Sequence, residues 1–340
     1  MIMGFIDQMR AKGHAVESIC RVLRQEGCQI AARTYRAWRR RSASARDTSD
    51  AVLLNVLHDL VGTPEGLYGR RKMTAWLRRE GHQVGAGRVD RLMRVAGMNG
   101  VRRGRPVRTT VPAKDGCRAG DLLNRDFTAA APNTKWVADF TYVRTWAGFV
   151  YVAFVLDCYS QRILAWHAAT AKTTPLVLTP LRIALWDRDR HGHPVQPGEL
   201  IAHSDAGSQY TSLRFAEHLA AEGIAASIGT VADAYDNALM ECVIGLYKTE
   251  CITTTIFHNG PYKTIADVEY ATAGWVEWYN NRRLHSSLAM TTPAEYETAY
   301  YAALNRELAP TKERHETRDA SRPCAPRVNR ATPTAGTCTS

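Results

Sequence analysis

Residues 136–143 read Trp-Val-Ala-Asp-Phe-Thr-Tyr-Val, an aromatic and β-branched run with one carboxylate, Asp139, in its middle. A carboxylate inside an apolar strand is costly unless it has a partner such as a metal ion. Further strands are expected at Phe149–Leu156 and Ile163–His167, and the short link Trp146-Ala-Gly148 makes the first connection a hairpin. Beyond them a helix over Pro175–Asp189, a strand over Leu200–His203, a helix near Ser212–Glu222, a strand over Ala225–Ile228 and a helix near Asn237–Cys251 follow in turn. Three meandering strands, then alternating strand and helix, predict an α/β domain built on a mixed five-stranded sheet flanked by helices.

Two more carboxylates stand at telling places in that layout. Asp205 ends a strand in IAHSDAGSQY, just before a Gly-containing turn, where ligand sites of α/β sheets gather. Glu241 lies on the helix opened by Asp236-Asn237, with Asp236 or its neighbour as the expected N-cap. Neighbouring strands and a covering helix can bring three carboxylates to one point. An oxygen-only cluster of this kind suits Mg²⁺ or Mn²⁺ and suits zinc poorly. Two ions held there would activate an attacking oxygen and stabilise the leaving one in a phosphodiester displacement. Lys248, seven residues after Glu241, shares its helix face and can reach a phosphate of bound DNA. His203, two residues before Asp205, is either an orienting group behind the metal site or a packed histidine. Asp157 reads as a turn residue, with a place near the site as the alternative, and Glu250 points about half a turn away from Glu241.

These residues carry a resemblance. The spacing of 35 residues between Asp205 and Glu241 resembles the D,D(35)E signature of retroviral integrases and related transposases. The words WVADFTYV, HSDAGSQY, DNALME and YNNRRLHSSL resemble the second reading frame (orfB) of insertion sequences of the third insertion-sequence family, over roughly residues 60–300. The resemblance implies a ribonuclease-H-like DDE transposase with Asp139, Asp205 and Glu241 as catalytic metal ligands. It also implies element terminal repeats and target DNA as substrates and an upstream-frame protein (orfA), joined by frameshifting, as partner; because two ends must be held together, a homo-oligomer on DNA is expected. Met240 and Cys242, both oxidisable, flank Glu241 as a departure from the family pattern.

Outward from the catalytic words the texture changes. Residues 1–120 hold 24 Lys and Arg against 10 Asp and Glu, and the rest of the chain 20 against 23, so the basic third is the expected DNA-binding part. Leu23–Ala32 (LRQEGCQIAA) and Leu77–Ala86 (LRREGHQVGA) form a weak repeat in which a helical pattern ends at a Gly and an Arg-rich helix follows. That layout is a helix-turn-helix, with Arg33, Arg36, Arg39 and Arg40 in one copy and Arg88, Arg91 and Arg94 in the other as candidate DNA contacts. Solvated helical hairpins are the competing explanation. Arg282, Arg283 and His285 are further candidates for DNA contact, with surface charges and a helix C-terminal cap as the alternative.

The expected organisation is therefore a basic helix-turn-helix-like module at 1–45, a second at 50–100, a basic linker at 101–130, the catalytic domain at 131–300 and a disordered Pro/Thr-rich tail at 305–340, with Ser42–Ser49 as a short polar linker. The longest apolar run, Phe149–Leu156, is too short to cross a bilayer, no signal peptide opens the chain, and eight scattered cysteines lack zinc spacing. A bacterial cytoplasmic, nucleoid-associated protein is expected. Two other readings stay open at this stage: a two-metal nuclease that cleaves without joining, and a catalytically silent DNA-binding repressor.

Overall fold

The chain divides into two units, Met1–Gly100 and Val101–Ser340. The structure, a computed structural model, describes residues 2–102, 123, 126–204, 212–228 and 238–308. In the first unit short helices follow one another: α1 (Ile2–Ala11), α2 (Val16–Gln25), α3 (Ala32–Arg40), α4 (Ala45–Asp59), α5 (Arg70–Arg79) and α6 (Ala86–Val95). The repeat in the sequence becomes the same turn twice. After α2 and α5 the chain enters the left-handed region at Gly27 (φ 83°) and Gly81 (φ 88°), where a Cβ would be strained. The next amide then reaches back to the helix, Cys28 N to Leu23 O at 2.8 Å and His82 N to Leu77 O at 2.9 Å. The first helical trio closes on Ile6, Ile19, Cys20, Ile30 and Tyr35. In the second, Met73, Leu77, Val89 and Leu92 are buried.

The expected linker at Ser42–Ser49 is a helix start instead. Ser44 caps α4, its Oγ accepting from Asp47 N at 3.1 Å while Asp47 Oδ2 accepts from Ser44 N at 3.1 Å. Composition alone reads Ser, Ala and Thr as linker, whereas the reciprocal cap satisfies the free amides of the first turn.

The second unit is built on β1 (Lys135–Thr145), β2 (Gly148–Asp157), β3 (Ile163–Ala169), α7 (Thr174–Arg190), β4 (Ile201–Ser204), α8 (Leu213–Ala221), β5 (Ala225–Ile228), α9 (Ala238–Leu246), α10 (Ile265–Asn281) and α11 (Pro293–Leu308). The strands form one five-stranded sheet in the order β3-β2-β1-β4-β5. β1, β2 and β3 pair antiparallel, while β1–β4 and β4–β5 are parallel, so the predicted mixed sheet is observed. This is the ribonuclease-H-like arrangement expected from the sequence.

Strand alternation gives the sheet two apolar faces, each covered by helices. Trp136, Ala153, Val155 and Ala165 join Leu176, Val177 and Leu181 of α7 and Phe215 and Leu219 of α8 in one cluster. On the opposite face Phe154 meets Tyr247 at 5.1 Å and Trp275 of α10 at 6.2 Å, ring centre to ring centre. Tyr247 opens a π-helical segment, Tyr247–Ile252, that continues α9 without a break. Among the described residues no helix is long and apolar enough to cross a membrane.

Asp157, expected to be an ordinary turn residue, is a buried junction. It accepts from the backbone N–H groups of Asn133 (2.8 Å), Tyr159 (2.9 Å) and Ser160 (3.1 Å), and Arg188 Nη2 of α7 lies 3.6 Å from its Oδ2. Arg188 in turn grips Glu297 of α11 through both terminal nitrogens, Nη2 to Oε2 at 2.9 Å, and Arg162 Nη1 and Ser160 Oγ complete the set at 3.0 and 2.9 Å. Burial pushes the Asp157 carboxyl up. Burial acts in the same sense on Glu297, yet Arg188 outweighs it and holds that carboxyl below the usual range. The network fixes α11 (Pro293–Leu308) to the end of the sheet.

Replacing Arg188 by Met should destabilise the protein by about 3–5 kcal/mol, because it strands two buried carboxylates. Urea unfolding measures this, and adding Glu297→Leu should recover part of the loss. An unchanged midpoint in the single variant would show that the network does not hold α11.

Candidate functional site

Asp139 sits near the centre of β1, half-buried, and its Oδ1 accepts from Phe140 N at 2.7 Å. Its partner across the hairpin is Phe154, so the carboxylate stands on the face covered by α9, the π-helical segment and α10. Glu241 is in the first turn of α9 and exposed, between buried Met240 and Val243 on one flank and exposed Cys242 on the other. A carboxylate is favoured there by the partial positive charge of the helix start.

The direction of that helix relates the two carboxylates. Tyr247 packs on Phe154, beside Asp139, and Lys248 Nζ lies 5.1 Å from the centre of the Tyr142 ring. Farther on, Cys251 O accepts from Tyr262 Oη at 3.3 Å, and Tyr262 O accepts from Trp146 N at the hairpin tip at 3.0 Å. Helix and strand therefore run the same way. From Tyr142 back to Asp139 is about 10 Å of strand, and from Lys248 back to Glu241 is about 10 Å of helix. Glu241 and Asp139 are thus each about 10 Å back along their own elements from that contact, although Tyr142 itself alternates to the face opposite Asp139.

The third expected carboxylate, Asp205, lies outside the described residues, as do Asp233 and Asp236. The parallel register of β1 and β4 is continuous up to Ala138 opposite Ser204, the residues immediately before Asp139 and Asp205 in the chain. His203 is buried, with Nδ1 2.9 Å from Ser227 Oγ of β5 and its ring edge-on to Phe127 at 6.1 Å. It is held between β4 and β5, as a packed histidine would be. Among the described residues no three His, Cys, Asp or Glu side chains form a metal-binding group.

Two residues expected at a DNA surface are interior. The Arg283 guanidinium is buried against Glu250, Nε to Oε2 at 2.9 Å and Nη2 to Oε1 at 2.6 Å, with Trp275 Nε1 also directed at Glu250. His285 is buried edge-on to Tyr279, 4.6 Å between ring centres. A run of basic residues after a helix reads as surface in a sequence. Here Arg283 turns into the core, where Glu250 supplies the charge that lets it be buried. Arg282 remains exposed, 3.2 Å from Glu277.

In the basic unit Arg33, Arg36, Arg39 and Arg40 are exposed along α3, opposite buried Tyr35, and Arg36 pairs with Glu17. On α6 the arginines are partly engaged at home. Arg88 Nε and Arg91 Nη2 both bind Asp50 of α4, at 2.7 and 2.5 Å, while exposed Arg94 pairs with Asp90 of its own helix. Arg88 and Arg91 therefore join α6 to α4, a role the repeat did not reveal because Asp50 lies 38 residues from Arg88.

Models of the integrase core domain match residues 129–234 and 222–293, and a model of an HTH-like domain matches 52–106. The chain is 45% identical over 280 residues, 82% of its own length and 99% of the other, to the protein assigned as transposase of insertion sequence element IS986/IS6110 in Mycobacterium tuberculosis. It belongs to the insertion-sequence transposase family. The transposase of insertion sequence element IS629 of Shigella sonnei is 44% identical over 264 residues, 78% of this transposase and 85% of that one. Among solved structures, the HTLV-2 integrase catalytic core domain in complex with magnesium covers 49% of the chain and is itself covered to 98%, at 16% identity and a TM-score of 0.37. A chain of the simian T-cell lymphotropic virus intasome in complex with PP2A regulatory subunit B56 gamma covers 79% and is covered to 77%, at 14% identity and a TM-score of 0.42.

Hydrogen bonds from Arg91, and then Arg88, hold the Asp50 carboxyl of this transposase below the usual carboxylate range. A depressed value means that the stabilisation is present above the ordinary carboxylate pKa and is lost as the pH falls through the folded one. Asp50→Asn should therefore lower the thermal midpoint of the basic unit at neutral pH, with the gap to wild type closing in acid. A gap that stays constant from pH 7 to pH 2 would show that the charge on Asp50 is not what joins the helices.

Proposed function

We propose that this integrase-like DNA transposase cleaves and joins DNA at a site made by Asp139, Asp205 and Glu241. The observation that carries the reading is the matched set-back of Asp139 along β1 and of Glu241 along its helix from the Lys248–Tyr142 contact. The register partners Ala138 and Ser204, each followed in the chain by an aspartate, support adding Asp205.

The donor set fits a hard divalent ion: carboxylate oxygens alone, one on a half-buried strand position and one in an exposed first helical turn. Asp139, Asp205 and Glu241 would hold Mg²⁺ or Mn²⁺, two ions per site, whose Lewis acidity activates the attacking oxygen and stabilises the leaving one. The chain's own part is positioning. Half-burial of Asp139 and its hydrogen bond from Phe140 N fix the direction of that carboxylate, while Lys248, exposed beside the same cluster, meets a DNA phosphate. Water attacks the phosphodiester at an element end and frees a 3′-hydroxyl. That hydroxyl attacks a second phosphodiester, so that one bond breaks as another forms and joining needs no ATP.

The exposed arginines Arg36, Arg39, Arg40 and Arg94, with Arg282 on the catalytic unit, are the proposed DNA contacts, and Arg88 and Arg91 offer their remaining N–H groups beside them. Element terminal repeats are the sites bound. Two ends must be held together for joining, which calls for a homo-oligomer on DNA, with the upstream-frame protein or its frameshift fusion completing the assembly.

The test is cleavage and joining on labelled element-end DNA with Mg²⁺ or Mn²⁺. Glu241→Gln and Asp139→Asn should each lower the rate by about a thousandfold or more while DNA binding persists, since several kcal/mol of charge stabilisation are removed. Activity equal to wild type in either variant would take that residue out of the site. Cleavage without joining would make the protein a nuclease.

A further inference from the structure

The hairpin that holds Asp139 runs on beyond the carboxylates, and its outer half carries a row of aromatic rings. Cross-strand partners share a face, so Phe140, Tyr142 and Arg144 of β1 stand on the same side as Ala153, Tyr151 and Phe149 of β2. Phe140 meets Tyr151 edge-on at 6.4 Å, and Tyr142 meets Phe149 edge-on at 5.4 Å. Phe140 and Tyr151 lie at the margin of the cluster under α7, whereas Tyr142 and Phe149 are 55% and 50% exposed. At the tip Trp146 is 73% exposed, although its backbone is pinned by the bond to Tyr262 O.

The charges set around these rings are positive. Lys172 Nζ lies 5.1 Å from the centre of the Tyr151 ring, Lys248 Nζ 5.1 Å from that of Tyr142 and Lys263 Nζ 5.7 Å from that of Trp146, and Arg144 is exposed on the aromatic face. Contiguous exposed aromatic surface marks a binding site. Rings interleaved with cations fit a polymer that offers flat π-faces and negative phosphates together. Paired bases keep their faces stacked inside the duplex, so the complementary ligand is an unpaired strand.

We propose that the outer half of the β1–β2 hairpin is a stacking platform for unpaired bases of the DNA strand engaged at the carboxylates. This rests on the functional reading above and extends it. Asp139 and Tyr142 alternate to opposite faces of β1, and Lys248, on the helical run whose first turn carries Glu241, bridges them by lying over the Tyr142 ring, about 10 Å along the strand from Asp139. At about 3.4 Å per nucleotide, a strand that passes from the carboxylates by Lys248 to the other face of the hairpin lays bases on the platform several positions from the reacting phosphate. Opening the helix next to the cut, which a joining enzyme needs in order to bend and separate its ends, is stabilised by giving the freed bases a surface.

The experiment compares the full chain bound to a duplex ending in a short unpaired segment that contains 2-aminopurine and bound to the same duplex fully paired. Wild type should prefer the unpaired end by about tenfold or more and quench the 2-aminopurine on binding. The variant Tyr142→Ala with Phe149→Ala should bring the preference close to one and abolish the quenching, while Tyr142→Phe, which keeps the ring, should retain both. Thermal unfolding checks that the double variant is folded. Equal affinity of wild type for both duplexes, or an unaltered preference in the double variant, would overturn the platform and leave the cleavage reading standing. A changed oligomeric state in the double variant with its DNA preference intact would assign the face to a second copy of the chain. Binding to neither duplex would sink both readings.

Discussion

Every feature of the catalytic unit is referred to one strand that pairs differently along its two edges. β1 is antiparallel to β2 from Trp136 to Thr145 and, among the described residues, parallel to β4 from Lys135 to Ala138. The antiparallel side fixes which side chains face which layer, because a slip of one residue would exchange Asp139 with its apolar neighbours. The parallel side brings Ala138 opposite Ser204, directly before Asp139 in the chain. The strand therefore enters as a core element, carries its carboxylate near its middle, and ends at the exposed hairpin tip. Lys248 reaches Tyr142 on that outer half. The proposed chemistry and the aromatic platform share this one strand, on its two faces.

Helices are attached to this sheet with buried charge as well as apolar surface. Arg188 binds α11 to the β2 end through Glu297 and Asp157, and Glu250 with Arg283 fastens the π-helical segment to the end of α10. A buried ion pair adds little net stability over a well-packed apolar pair, but separating its members is costly. Such pairs hold elements to one arrangement. That suits a helix whose start carries Glu241 and whose continuation carries Lys248. The basic unit follows the same logic on a smaller scale, with Asp50 holding two arginines of α6 that the sequence offers as free cations.

Much was legible in the sequence. Strand periodicity, a hairpin link and alternation of strand and helix are local signals, and they gave the mixed sheet and its flanking helices. The repeated Leu-Arg-x-Glu-Gly words foretold two capped turns because a left-handed cap needs only a glycine and a neighbour in the chain. The motif words around Asp139, Asp205 and Glu241 indicated the family, since chemistry at a phosphodiester restricts residue type as well as spacing. The start of α4 was read as linker because Ser and Asp suit linkers and caps alike, and a reciprocal cap depends on side-chain geometry.

What the sequence by itself determined is whatever depends on short-range order: element type, hairpin connectivity, the basic third of the chain, and the motif words that mark the family. What only the tertiary structure decided is which charges meet. Arg283 lies 33 residues from Glu250, Arg188 lies 109 from Glu297, and Arg88 lies 38 from Asp50. No periodicity links such partners, because the pairing follows from how helices settle on the sheet and on one another. The same holds for Tyr142 and Phe149, whose alternation reads as ordinary strand. Only the fold shows that α7 does not extend over them, and that the cations of three separate segments stand around the rings of one hairpin.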